Sequence, residues 1–252
     1  MSFIATPYVP SRMNIGDRLL PPSSSHWFGT DQYGRDVFSR VIAGSRNSLY
    51  VGLLAVFLGI GLGVPVGSLS AYTGGGIDST LMRAMDVLYG FPPVITAVLI
   101  TSLFGPGLIN SMIAIGLFNV PIFARISRGN FLSTKESNFV EAARATGRSE
   151  LTVVTRHILP NISSPILVQA TTQFALAILA EAALSYLGLG IQPPHPSWGL
   201  MLKQAQTFMG LSPWPAIFPG LSIVLTVLGF NLVGDGLRDL LDPRLSRSAV
   251  KR

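Results

Sequence analysis

Cysteine is absent from this sequence, which excludes disulfides and thiolate-held metals. Charge is scarce: 12% of the 252 residues are Asp, Glu, Lys or Arg, about half the roughly 25% of a soluble domain. A water-soluble globule of this length needs more polar surface than that. The three histidines, His26, His157 and His195, are too far apart in sequence to form a metal-ligand spacing. There is no Gly-x-x-x-x-Gly-Lys-Ser/Thr loop, no His-Glu-x-x-His and no Gly-x-Ser-x-Gly. Any ATP used with this chain is therefore expected to be bound and hydrolysed by another. Residues 1–10 lack the basic stretch that opens a secretory signal peptide.

What is present is hydrophobic, at 48% of residues, with a mean hydropathy of +0.49. Four stretches contain no Asp, Glu, Lys or Arg: residues 47–77, 87–124, 157–180 and 204–234. A helix of about 20 residues crosses a bilayer core. The second stretch is too long for one helix, and the turn-forming Phe104-Gly105-Pro106-Gly107 divides it. The sequence thus predicts an all-α membrane bundle of five spans, at about 48–71, 87–103, 108–124, 163–187 and 214–233.

Lys and Arg set the orientation. Arg125, Arg128, Lys135, Arg144, Arg148 and Arg156 crowd the connection after the third span, and five more follow residue 237. Placing that loop, 125–161, and the C-terminus in the cytoplasm puts most of the 18 basic residues inside. The net charge of +6 then reflects basic residues flanking spans and not a nucleic-acid site. The N-terminal segment, 1–46, falls outside.

Several local features carry more specific expectations. Gly59, Gly63 and Gly67 repeat every four residues, a stripe that lets another helix approach closely. Pro65, Pro92, Pro93 and Pro121 lie within the predicted spans, as static kinks or as bends of a moving pore. Glu181 lies near the outer end of the fourth span, close enough to reach the interface. Failing that, an ionisable residue at this depth marks a pore or a buried partner. Trp198 and Trp214 flank an outer connection as interfacial anchors. In the cytoplasmic loop, Asn138-x-x-Glu141 suits a capping box for a short helix over 139–146, and Gly147 suits a left-handed cap. Ser149 starts a second short helix to about His157, and Pro160 breaks the chain before the next span. Ala142, Ala143, Ala145 and Gly147 offer a small-residue surface on which another protein could dock.

Glu141-Ala142-Ala143, then Gly147, then Leu159-Pro160, resembles the Glu-Ala-Ala motif of ABC importer permeases, with His157 where that motif has Ile. The string Arg156-His-Ile-Leu-Pro-Asn161 is similar to the version in the dipeptide, oligopeptide and nickel group. Three further segments resemble that group: Gly29-Thr-Asp-Gln-Tyr-Gly-Arg-Asp-Val-Phe-Ser-Arg40; Ala182-Ala-Leu-Ser-Tyr-Leu-Gly-Leu-Gly190 with Ser197-Trp-Gly199; and Asn231-Leu-Val-Gly-Asp-Gly-Leu-Arg-Asp239 with Leu241-Asp-Pro-Arg244. Together they span residues 26–244 and match the second, C-type permease subunit.

The resemblance implies the membrane-spanning pore subunit of an ATP-driven importer for dipeptides, oligopeptides or related small solutes, with no chemistry of its own. It implies residence in the bacterial inner membrane. Its partners would be a second permease, two ATPase subunits that bind ATP and Mg, and an extracytoplasmic binding protein. Residues 47–244 would form the permease domain and 245–252 a cytoplasmic tail. Glu141, Ala142, Ala143, Gly147, His157, Leu159 and Pro160 would belong to the loop that couples to an ATPase. Such permeases usually have six spans, so the expectation is either an upstream extension carrying a first helix or a five-span variant.

Other classes fit less well. A self-sufficient secondary transporter predicts related halves or ionisable residues at mid-membrane. A membrane enzyme needs a cluster of catalytic side chains within the spans, where Glu181 alone is available. A structural membrane protein would lack genes for ATPases and a binding protein beside its own.

Overall fold

The computed structural model describes residues 6–241. Asp242, Pro243, Arg244 and the expected tail, 245–252, lie outside the described residues. Among the described residues nine α-helices follow in order: α1 (Val37–Thr73), α2 (Gly75–Gly90), α3 (Pro93–Phe104), α4 (Leu108–Lys135), α5 (Asn138–Ala145), α6 (Glu150–Val153), α7 (Leu159–Leu187), α8 (Trp198–Ala205) and α9 (Trp214–Leu241). The only β-pairing among them is an isolated bridge between Thr30 and Asp36. Four helical segments of the described chain are long and apolar enough to cross a membrane: α1, α4, Glu150–Leu187 and α9. Counting α2 and α3 as one broken span gives five.

The boundaries correct the sequence reading in three places. First, α1 starts at Val37, before the charge-free run, because Asp36 caps it: its Oδ2 accepts the Ser39 amide at 2.7 Å. Second, the expected span 87–103 is two helices that meet at Phe91 and Pro92. Pro92 and Pro93 sit at the cap and first turn of α3, where a missing N–H costs nothing. They mark the break at which α2 and α3 bend by 85°. Third, α4 continues past Ala124 to Lys135, so much of the expected loop is helix. The Phe104–Gly107 break stands as expected, between α3 and α4.

The chain divides into two compact units. The first takes the chain up to Ala55, then Pro92–Ile115 and Ala175–Gly229. Its core is built largely from small and β-branched residues, among them Val51, Ala55, Ala97, Ala114, Ala177 and Ile191. Such side chains let helix backbones pack closely where lipid removes the usual hydrophobic drive. A second cluster, Val37, Val41 and Met201, is closed by Phe28 and Phe218, whose rings stack 3.8 Å apart.

The second unit takes Val56–Phe91, Gly116–Phe174 and the chain from Phe230 onward. Here the glycine stripe of α1 meets α4. A Cβ at Gly63 would overlap the carbonyl of Val120, and one at Gly67 the carbonyl of Ala124. At Gly59 it would lie 2.5 Å from the Asn119 Cβ. The stripe is thus a close helix contact within the chain. Two ion pairs run along α2 and α4. Arg128 forks onto Asp78 at 2.7 and 2.6 Å, and Asp78 also accepts the Ser70 hydroxyl. Arg125 meets Asp86 at 2.7 Å and lies 4.4 Å from the Tyr89 ring centre. This second pair is half exposed, so it contributes under about 1 kcal/mol.

The outer apolar faces stay uncovered. Only 11% of the most apolar window of α9 is buried, and Leu225, Leu228 and Leu232 are exposed. A continuous bare leucine face on a helix of this length suits contact with lipid or with another membrane subunit.

Candidate functional site

The loop between α4 and α7 belongs wholly to the second unit. Its helix α5 begins one residue before the sequence predicts and is capped by Ser137. The expected Asn138–Glu141 capping box does not form. Ser137 caps through its backbone carbonyl, which accepts the Val140 and Glu141 amides, while its hydroxyl donates to Thr134 at 2.6 Å. At the other end Gly147 has φ +77° and donates its amide to the Arg144 carbonyl, the left-handed cap expected. Apart from its chain neighbours, nothing among the described residues lies within 4 Å of where a Gly147 Cβ would be.

Val140 and Ala143 form the buried stripe of α5, three residues apart. Ala143 therefore faces inward, a correction to its expected place on the docking surface. Glu141, Ala142, Ala145 and Gly147 face out. Arg144 forks onto Glu150 at 2.9 and 3.3 Å and ties α5 to α6. Ser149 caps α6, accepting the Thr152 amide at 3.4 Å.

Pro160 does not break the chain, again against expectation. Residues 154–158 form a π-turn, in which the Leu159 amide bonds to Val154, five residues back. The widened turn relieves the clash that Pro160 would otherwise make with a carbonyl four residues earlier. The helix then runs without interruption from Glu150 to Leu187. His157 lies in this turn with its Nε2 enclosed and lacking a hydrogen-bond partner, an environment suited to the Ile of the related motif. The loop is fastened to α1, since Lys135 Nζ donates to the Ala71 carbonyl at 3.2 Å. A cleft of about 280 Å³ lies between Ser68, Leu69 and Tyr72 of α1 and Leu151 and Val154.

The first unit holds a second set of polar groups. Glu181 is fully buried instead of reaching the interface. Serines on α1 and α7 satisfy it: Ser48 donates at 2.8 Å and Ser185 at 2.6 Å. Trp198 is likewise buried and no interfacial anchor, its Nε1 donating to Val41 at 3.1 Å. Residues 31–40 carry a cluster that sequence reasoning misses. Asp31 takes Arg35 at 2.6 Å, and Arg35 and Arg40 both donate to Gln204 of α8 at 3.0 Å. The signal is there in the charge density of the segment Gly29 to Arg40, which as sequence serves only as a family marker. Among the described residues no group of three His, Cys, Asp or Glu could hold a metal.

The comparisons with known proteins agree with this architecture. Residues 63–247 match the model of the "Binding-protein-dependent transport system inner membrane component" family. A dipeptide transport system permease protein of Alkalihalophilus pseudofirmus is 47% identical over 232 residues, which is 92% of this chain and 76% of that one. A glutathione transport system permease protein of Pectobacterium atrosepticum is 46% identical over 93% of this chain and 76% of its own. Among solved structures, a chain of the inward-facing MetNI methionine ABC transporter superposes with a TM-score of 0.67 at 19% identity, over 81% of this chain and 96% of its own. A chain of an amino acid ABC transporter crystallised with histidines gives 0.64 at 19% identity, over 79% and 92%. The chain therefore belongs to the family of inner-membrane components of binding-protein-dependent transport systems, and is a multi-pass transport subunit and not an enzyme.

Proposed function

We propose that this chain lines half of the passage through which short peptides, including peptide derivatives such as glutathione, enter the cell. A second permease completes the passage, and two ATPase subunits bind ATP and Mg and drive it. An extracytoplasmic binding protein delivers the solute. The chain itself binds no cofactor. The carrying observation is the loop between α4 and α7. It exposes Glu141, Ala142 and Ala145 beside a left-handed Gly147 and is fastened to α1 through Lys135. Small exposed residues on a short fixed helix suit close docking of another protein. The continuous Glu150–Leu187 helix gives that docking site a rigid connection into the membrane. The names of the two relatives support peptides as the solute class.

The test is uptake of labelled dialanine and of labelled glutathione by vesicles holding the full complex. Uptake of at least one that needs both the binding protein and ATP is the expected result. Uptake driven by an ion gradient without ATP would overturn the reading.

This reading also fixes an orientation, with the C-terminus in the cytoplasm. Reporter fusions after Lys135 and after Lys203 are expected to report cytoplasmic and external locations respectively. The reverse pair of results contradicts the orientation, which rests on the Lys and Arg distribution.

A further inference from the structure

Glu181 is the one fully buried carboxylate among the described residues, and the passage proposed above gives it no task. Its surroundings show what it holds. The Ser185 hydroxyl donates to its Oε1, and the same Ser185 oxygen accepts the Ile191 amide at 3.0 Å. The Ser48 hydroxyl donates to its Oε2, and that serine oxygen lies 3.5 Å from the Trp198 amide. Two relays therefore run from one carboxylate to the two stems of the loop between α7 and α8. A hydroxyl that donates to a carboxylate becomes the better acceptor, so each relay strengthens its own second bond.

The packing agrees with the relays. A Cβ at Gly199 would overlap the Ala182 carbonyl, and one at Gly190 the Ser185 hydroxyl. Asn47, next to Ser48, donates to the Pro196 carbonyl at 2.7 Å. Both stems are held against residues 182–185, while Pro193, Pro194 and His195 at the tip are exposed. Burying a carboxylate with hydroxyl partners is costly, and an apolar residue would fill the same space at no such cost. What the carboxylate supplies is acceptors for several hydroxyls at once, since Ser197 at the end of the loop bonds to it as well as Ser185 and Ser48.

We propose that Glu181 is a positioning residue for solute delivery: through Ser185 and Ser48 it fixes both stems of the 188–197 loop. The tip is thereby presented, already ordered, to the binding protein that gives the family its name. This rests on the proposed function for placing the loop on the outer side. Ordering the loop beforehand removes the entropy that docking would otherwise have to meet.

The absence of cysteine makes the test direct. A nitroxide on His195→Cys reports tip mobility in the complete reconstituted complex, with cysteines of the other subunits replaced. In the Glu181→Ala background the label is expected to become at least about three-fold more mobile. The concentration of dialanine-loaded binding protein that half-maximally stimulates ATP hydrolysis is expected to rise about ten-fold, with the maximal rate within about two-fold. Glu181→Gln keeps one acceptor oxygen and offers an N–H donor among Ser48, Ser185 and Ser197, and is expected to restore most of both readouts. If Glu181→Ala fails to assemble, Ser185→Ala, which cuts the Ile191 relay alone, carries the same expectations. Unchanged mobility and half-saturation in these variants overturn the proposal, as does a Gln variant no better than Ala, which would make the charge itself essential. A wild-type complex that no binding protein stimulates would instead refute the proposed function, and label mobility would still decide the role of Glu181.

Discussion

Replacing Gly147 with Val is expected to lower ATP-driven uptake by roughly ten-fold while leaving the chain inserted in the membrane. The residue holds φ +77° at the end of α5. A β-branched side chain there costs about 1–2 kcal/mol, a factor of roughly 5–30 between capped and uncapped loop. Apart from its chain neighbours, no atom of the described residues lies within 4 Å of the new Cβ, so the effect comes from the backbone and from whatever docks on the exposed surface. Asn tolerates the left-handed region, so Gly147→Asn separates the two causes. It relieves the backbone strain and keeps the added bulk, and is expected to fall between wild type and Val. Arg148→Ala, at an exposed neighbour, is expected to transport within about two-fold of wild type. The measurement is uptake by vesicles alongside co-purification of the ATPase subunits. Wild-type transport by the Val variant would remove the loop from the coupling path.

A larger effect is expected at Gly67. A leucine there must displace the Ala124 backbone and the Ser127 hydroxyl, which itself bonds to Ala124 at 3.1 Å. Backbone on both helices leaves little room to relax, so the cost sits at or above the upper end of overpacking penalties, about 3 kcal/mol. That is a large share of the stability of a typical chain. Gly67→Leu is expected to reduce folded, protease-resistant protein in membranes several-fold. Gly61 is the control: it lies on the same helix with nothing from the rest of the described residues within 4 Å of a Cβ, and Gly61→Leu is expected to accumulate normally. Equal yields from the two variants would mean that α1 and α4 do not pack along the glycine stripe.

The apolar runs reveal where the chain crosses the membrane because lipid leaves no alternative to burying or exposing such stretches as helix. They misplace the helix ends for an identifiable reason. Arg125 and Arg128 look like loop markers, yet α4 carries both to Lys135 because Asp86 and Asp78 face them from α2. The same aspartates hide α2 from a search for charge-free stretches. Pairing across helices is a tertiary fact, and no count along the chain contains it. Pro160 misleads similarly, since a breaker is harmless where the preceding turn is already widened to the π form.

The site divides in the same way. Gly147 is legible because a left-handed cap is a local requirement with a local signature. Ala143 is not, since the two faces of an eight-residue helix cannot be told apart until it packs. Distance from the membrane edge makes Glu181 and Trp198 look like groups that reach for water. They find partners inside, in Ser48, Ser185 and Val41, which lie more than a hundred residues away or on the far side of a helical turn.

The most direct measurement concerns Ala142, which is exposed on α5 in a chain free of cysteine. In the Ala142→Cys variant of the complete complex, a short thiol cross-linker is expected to join this chain to an ATPase subunit, with a yield that changes when ATP is added. Labelling of the introduced thiol from the outer side of intact cells, with no cross-link to an ATPase subunit, would contradict the account.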